Sequence, residues 1–219
     1  MRYALALPAA IIASLFCATT LYGQDCASAP LLERRAALGV EMSHSLGETG
    51  TSAWLGAHLV GPLEIGSAYR ATRLADVDRL QHEGSLELSA PVGFAGIDFC
   101  PIAGFGYAHL TTDKAEMHGH VGTTESRIGG SVSHSFELSH AVRVTPFVQP
   151  MFVRQNVSWE SVDGDWRVSD QSSSRAVQYW FGISLATSRS AVVARLRPAR
   201  GQERREFSIG VVTAFGRRE

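Results

Sequence analysis

The sequence predicts an all-β protein, an antiparallel transmembrane β-barrel of about 8–10 strands that follows a cleaved signal peptide. Three observations support this fold class: an apolar leader at the N-terminus, a mature chain in which apolar and polar residues alternate, and the lack of a long uncharged apolar run after the leader. Lipid offers no partner for a free backbone N–H or C=O group, so a spanning structure built from such segments has to be a closed sheet.

The leader has the composition of a secretory signal peptide. Arg2 precedes an uncharged apolar run over residues 3–22, and small and polar residues return at Gly23. A membrane anchor is the alternative, because the run approaches the length of a spanning helix. Pro8 and the lack of a basic flank disfavour the anchor. The pattern therefore predicts cleavage after Gly23.

Period-two alternation predicts the strands of the mature chain, because successive side chains of a strand point to opposite faces. The fourth strand has the clearest pattern, with Leu86 and Leu88 on one face and Ser85, Glu87 and Ser89 on the other. The predicted strands cover about 36–45, 52–60, 63–74, 84–92, 99–110, 124–136, 142–158, 177–185, 191–197 and 207–215. Within the seventh of them, two prolines conflict with an uninterrupted ladder, since proline has no N–H to donate.

Short and long connections alternate along the chain. Residues 61–62, 93–98, 138–141 and 187–190 form brief turns, whereas the connections between them are mostly longer and polar, above all 111–123 and 159–175. Short turns at one end of the strands and long loops at the other are typical of outer-membrane barrels.

The last strand has large side chains on one face and mostly small ones on the other. Ser208, Gly210, Thr213 and Phe215 resemble the C-terminal assembly signal of bacterial outer-membrane β-barrels, in which a polar residue and a glycine lead to hydrophobic or aromatic residues at alternate positions. The resemblance implies that this strand closes the barrel and is recognised by the barrel-assembly machinery.

The mature chain as a whole resembles a small outer-membrane β-barrel protein of the OmpA-like or opacity-protein type. The signal peptide, the alternation, the loop asymmetry and the closing strand carry the resemblance. It implies a bacterial outer-membrane location with outer-membrane lipid as a partner. The domain organisation is then a signal peptide at 1–23, a periplasmic N-terminal segment at 24–35 and an outer-membrane β-barrel at 36–219.

Charged residues on the inward faces of the strands predict a polar lumen. The six residues concerned are Glu41, Glu64, Arg70, Glu87, Arg127 and Arg143. A barrel of about ten strands is narrow, so we expect side chains to fill most of the lumen and opposite charges to pair. A gated pore for small solutes is the alternative.

Two of the three cysteines survive signal cleavage. In an oxidising compartment, Cys26 and Cys100 are expected to form a disulfide. Cys26 precedes the first strand and Cys100 opens the fifth, so both belong at the periplasmic rim. Two free thiols are the alternative.

No cofactor, metal or catalytic site is predicted. His118 and His120 are the closest histidine pair, but no cysteine joins them, which favours a solvated loop over a metal site. Ser43–His44 and His134–Ser135 are adjacent strand residues that point to opposite faces, so neither pair forms a catalytic dyad. With 20 basic and 21 acidic residues, and without a basic face, the chain is not expected to bind nucleic acid.

The function expected from these features is that of a non-enzymatic outer-membrane β-barrel with a polar, largely filled lumen. It would serve envelope integrity or a surface interaction through its loops. The alternatives are a narrow small-solute pore or surface receptor, or a soluble periplasmic lipocalin-like binding barrel. The polar inward faces argue against the last of these, because an apolar-ligand pocket would be lined mainly by apolar groups.

Overall fold

The computed structural model describes residues 35–45, 48–74, 79–94, 96–114, 117–163, 166–198 and 205–216. The predicted signal peptide and Cys26 lie outside these residues. Twelve strands are present in the described part of the chain: β1 (Ala36–Ser45), β2 (Glu48–His58), β3 (Glu64–Leu74), β4 (Arg79–Ser89), β5 (Val92–Phe94), β6 (Ile97–Lys114), β7 (Met117–His134), β8 (Phe136–Ser139), β9 (Val142–Asp163), β10 (Trp166–Ala186), β11 (Ser190–Arg197) and β12 (Glu206–Phe215). Within these ranges, no helix is long and apolar enough to span a membrane.

The strands form one closed antiparallel barrel with ten positions around the ring. The order is β10, β11, β12, β1, β2, β3, β4, β6, β7, β9, and pairing of β9 with β10 closes the ring. The short β5 pairs with β6 beyond the end of β4, and β8 pairs with β9 beyond the end of β7, so neither adds a position. The predicted fold class is confirmed, with ten strand positions rather than eight.

The seam of the barrel joins its two ends. β12 pairs with β1 along the full length of both strands, from Ala36 opposite Phe215 to Ser45 opposite Glu206. The predicted closing strand therefore completes the ring against the first strand.

The two faces of the sheet differ in polarity as the alternation predicts. Leu38, Val40 and Met42 of β1 are about half exposed, as are Phe207, Ile209 and Val211 of β12. The intervening residues face the interior and are mostly small or polar. An outer surface of large apolar side chains around a polar interior is the arrangement that a lipid-embedded barrel requires.

Four neighbouring strands are much longer than predicted. β6, β7, β9 and β10 contain 18 to 22 residues, whereas the other six full strands contain 8 to 11. Residues 111–123 and 159–175, which the sequence analysis assigned to loops, mostly extend these strands. In these segments the strands pair through backbone hydrogen bonds without an alternation of apolar and polar residues. Such alternation is not needed above the lipid, because neither face of the sheet contacts hydrocarbon there. We call residues 110–114, 117–126, 154–163 and 166–175 the projecting wall.

The two prolines of β9 lie where its ladder with β7 and β8 is interrupted. Described pairs run from Gly129–Met151 to Val132–Val148 without the pair that would contain Pro150. The position of Pro146 falls in the gap between the end of β7 and the start of β8. Pairing with β10 continues past both prolines. The missing proline N–H groups therefore do not interrupt the pairing of β9 with β10.

Candidate functional site

The barrel encloses a polar cavity of about 550 Å³. Its charged lining consists of seven glutamates and four arginines, namely Glu41, Glu48, Glu64, Glu83, Glu87, Glu125, Glu206, Arg70, Arg127, Arg195 and Arg197. Glutamines, serines, Trp54 and Trp180 also line the cavity, together with several small and apolar residues. The described lining thus carries an excess of acidic side chains.

Apolar side chains fill the periplasmic end of the lumen. One buried cluster comprises Ala37, Phe147, Ala191, Val193, Val212 and Ala214, with Trp54 and Ala186 packed against it. A second comprises Cys100, Ile102, Met151 and Val153. We call these two clusters the apolar floor. Its residues are at most 6% exposed in the first cluster and 3% in the second, so water is largely excluded at this level.

Gly182 makes room for the largest side chain of the floor. A Cβ at Gly182 would collide with the ring of Phe147, which occupies that space. Close packing of this kind is sensitive to small changes in volume, because a folded interior has few voids. The floor is therefore a well-packed layer rather than a loose collection of apolar groups.

Arg70 is held at the top of the lumen by contacts from two distant strands. Its guanidinium donates to Ser43 Oγ at 2.6 Å and to Glu206 Oε1 at 2.6 Å. Arg197 reaches the other oxygen of Glu206 at 3.0 Å, and its guanidinium lies over the ring of Trp180. The Glu206 carboxylate is only 7% exposed, so this triad joins β3, β11 and β12 through one shielded acid.

A second group of charges lies on the opposite side of the lumen. Arg127 pairs with Glu87 at 3.2 Å and with Glu125 at 3.8 Å, and Gln155 Nε2 donates to Glu125 at 2.8 Å. An inward glycine, Gly104, leaves the space in which the Arg127 side chain lies. A third pair, Glu41 and Arg195, is looser at 3.6 Å.

The structure places five of the six predicted lumen charges around this cavity. These are Glu41, Glu64, Arg70, Glu87 and Arg127. Arg143 is not among the cavity residues, because it precedes Phe147 on the same face of β9 and so lies on the periplasmic side of the floor, where its charge acts on Asp98.

Sequence reasoning missed the acid that connects the triad. It placed Glu206 just before the last predicted strand, 207–215, whereas β12 begins at this residue. Extending the predicted last strand by one residue toward the N-terminus would have placed Glu206 on the inward face with Ser208. The same parity would have found Arg195 and Arg197 on β11 and Glu125 on β7.

Cys100 is buried in the apolar floor and is disulfide-bonded. Its partner lies outside the described residues. The disulfide between Cys26 and Cys100 accordingly stays a prediction.

The four residues that resemble an assembly signal all lie on β12. Ser208 is 1% exposed and Gly210 is also buried, whereas Phe215 faces outward and Thr213 is half-buried on the outward side. Gly210 lies close to the β1 backbone, since a Cβ there would approach Val40 O at 3.0 Å. Recognition of this strand during assembly stays a prediction.

The histidines considered in the sequence analysis do not form a described site. His118 and His120 lie on β7 rather than in a loop. Ser43 bonds Arg70 in the lumen while the neighbouring His44 faces Thr49, and His134 bonds the Gly96 carbonyl while Ser135 faces Thr145. Among the residues that the structure describes, no group of three or more metal-ligating side chains occurs.

The fold and the lumen define the class of protein. A closed antiparallel barrel with a lipid-compatible outer belt, a polar interior, short turns at one end and long hairpins at the other is an outer-membrane β-barrel. The chain is a small protein of this class and belongs in the bacterial outer membrane.

Solved outer-membrane barrels are similar to the chain in overall form. The translocator domain of the autotransporter NalP from Neisseria meningitidis is 9% identical, with a TM-score of 0.49, and the match covers 96% of this chain and 95% of that one. The outer membrane protease OmpT from Escherichia coli is 8% identical, with a TM-score of 0.44 and coverages of 83% and 94%. The Acinetobacter baumannii outer membrane protein Omp33 is 10% identical, with a TM-score of 0.39 and coverages of 84% and 99%. No family model and no curated protein matches the sequence.

Proposed function

We propose that this chain is a non-enzymatic outer-membrane barrel that makes a surface interaction through its projecting wall. The observation that carries the proposal is the height of β6, β7, β9 and β10, which is about twice that of the other full strands. From Arg154 to Asp163, β9 continues for roughly 30 Å of strand at about 3.3 Å per residue. A sheet of that height, rising from one side of the barrel only, presents far more surface than closure of the barrel needs.

One edge of the projecting wall is polar where the structure describes its side chains. β11 pairs with β10 only from Phe181 to Ala186, so residues 166–175 of β10 have no neighbouring strand on that side among the residues that the structure describes. Along this edge, residues 169–175 are all exposed and have the sequence Ser-Asp-Gln-Ser-Ser-Ser-Arg. Polar side chains keep such an edge soluble while its backbone groups stay available to a partner.

Shortening the projecting wall tests this proposal. Replacing residues 159–170 by Asn-Gly joins Ser158 to Gln171, and replacing 111–120 by Asn-Gly joins Leu110 to Val121; both junctions are existing cross-strand pairs. We expect the shortened protein to insert normally, as judged by heat-dependent gel mobility. Cells that display it should lose binding to arrays of extracellular-matrix proteins and glycans that cells with the full-length protein bind.

The matched control alters the barrel away from the projecting wall. It exchanges the connection between the short strands β3 and β4 for a different turn of the same length. It should leave binding unchanged. Equal binding by full-length, shortened and empty cells would contradict the proposed surface interaction.

A narrow pore for small cations is the second candidate function. The acidic excess of the cavity lining favours it, because a lumen of one charge sign raises the local concentration of ions of the other. The apolar floor argues against it, because water is largely excluded from the side chains that fill the periplasmic end.

Conductance across planar bilayers separates the two candidates. We expect the full-length protein to show almost no conductance, and Phe147→Ala to introduce cation-selective openings because it removes the largest side chain of the floor. The control is Phe152→Ala on the same strand, where the ring faces outward and is 44% exposed. Steady conductance by the unaltered protein would favour the pore, and conductance only after disulfide reduction would assign the block to the segment tethered to Cys100.

A further inference from the structure

On the outer surface of the barrel, three neighbouring strands change from an apolar to a polar residue at the same level, and on two of them the polar residue is an arginine. Ile128, Phe152 and Val177 are directly opposite one another on β7, β9 and β10, and all three are exposed. The next outward positions on these strands toward the projecting wall are Ser126, Arg154 and Arg175, again directly opposite one another. The two arginines therefore lie side by side where the lipid-facing belt ends.

This end of the belt faces the cell exterior. The chain enters β1 and leaves β12 at the end of the barrel that carries the brief turns, and the long hairpins lie at the other end. Short turns are periplasmic and long connections are extracellular in this class of barrel. Arg154 and Arg175 thus belong at the level of the head groups of the outer leaflet.

The two guanidinium groups have no counter-ion within the described ranges. Both side chains are exposed, and neither takes part in an ion pair or hydrogen bond there. The rows above them contain Thr124, Asn156 and Ser173, then Gly122, Ser158 and Gln171. Glu160, one row further on, is the first outward carboxylate on β9. Like charges directly opposite each other destabilise a sheet pair, so this position gains stability from an anion that contacts both groups.

We propose that Arg154 and Arg175, with Ser126 beside them, form a binding site for the phosphate group of a lipid anchored in the outer leaflet. Arginine suits this ligand because its planar fork donates two parallel hydrogen bonds to phosphate oxygens. Phe152 and Val177 lie directly below and face outward, so they contact the acyl chains of the same lipid. A single lipid can therefore contact both rows, with its phosphate at the arginines and its hydrocarbon at the apolar residues below them.

The experiment uses the full mature protein folded in a phosphate-free, uncharged detergent. It is titrated with bisphosphorylated lipid A or with the same lipid after removal of its phosphates, and the retained lipid is counted by native mass spectrometry. We expect the phosphorylated lipid to bind at least about tenfold more tightly, because charge-assisted hydrogen bonds to phosphate are lost with the other lipid. In Arg154→Gln/Arg175→Gln this preference should disappear.

The control is Arg189→Gln, which removes an exposed arginine from the periplasmic turn between β10 and β11 and should retain the full preference. Without lipid, the double variant should unfold at a temperature equal to or above that of the unaltered protein, because a repulsion has been removed. Equal binding of the two lipids to the unaltered protein would overturn the proposal, even if the variant failed to fold. Full competition by millimolar inorganic phosphate would assign the site to free phosphate instead.

Discussion

Glu206→Gln is expected to destabilise the barrel by about 2–3 kcal/mol, between the ~3–5 kcal/mol for breaking a fully buried ion pair and the ~1 kcal/mol or less for an exposed one. The Glu206 carboxylate is shielded and accepts from Arg70 at 2.6 Å and from Arg197 at 3.0 Å. The neutral amide leaves these two cations facing each other across the seam that Glu206 and Ser45 help to close. Reversible urea unfolding in lipid vesicles, followed by tryptophan fluorescence, measures the change.

Glu41→Gln is the matched control for this prediction. Its partner Arg195 is 3.6 Å away, and both side chains are more than one quarter exposed, so we expect a loss of about 1 kcal/mol or less. Adding Arg70→Met to Glu206→Gln should recover part of the lost stability, because one of the two unpaired cations is removed. Equal effects of the two glutamate substitutions would show that the triad contributes no more than the loose Glu41–Arg195 pair.

The barrel itself was predictable because period two is a strong signal wherever one face meets lipid and the other a polar lumen. In β4, Leu86 and Leu88 alternate with Glu87 and Ser89, and the structure has the same faces. Such alternation fixes register as well as strand identity, since a slip by one residue would turn every side chain to the wrong side. It also located five of the eleven charged residues that line the cavity, whereas Arg143 lies below the floor and Glu206 was missed.

The projecting wall was not predictable by the same reasoning. Above the lipid, both faces of a strand meet water, so the composition of residues 169–175 is indistinguishable from that of a polar loop. The ladder with β9 continues there because the partner strand is already in register below. The apolar floor was also missed, since Phe147 and Val193 come together only once β9 and β11 are placed on either side of β10.

The contrast between the apolar floor and the charged cavity above it explains why the closing strand carries two kinds of inward residue. Val212 and Ala214 contribute to the apolar floor near the periplasmic end, whereas Glu206 anchors the arginines near the extracellular end. The same strand therefore seals the lumen below and holds its charges above. Outward, it presents the apolar side chains of Phe207, Ile209, Val211 and Phe215 to the lipid.

Leu88→Arg is expected to impair insertion strongly, whereas Ser89→Arg is tolerated. Leu88 faces outward, is 45% exposed and lies directly opposite Ile65 and Ala103 in an apolar row. A lipid-facing arginine costs about 2–4 kcal/mol near the bilayer midplane. Ser89 lines the cavity directly opposite Glu64, so an arginine there meets the acidic side of the lumen. The fraction of heat-modifiable protein in isolated outer membranes measures insertion for both variants.

This neighbouring pair controls for expression, strand and depth, because the two positions differ mainly in the face on which the side chain lies. A substitution to glutamine at each position separates the cost of charge from that of size: Leu88→Gln should insert better than Leu88→Arg, because a neutral amide is less costly in lipid than a guanidinium. If arginine impaired insertion equally at the two positions, the assignment of the faces of β4 to lipid and lumen would be wrong.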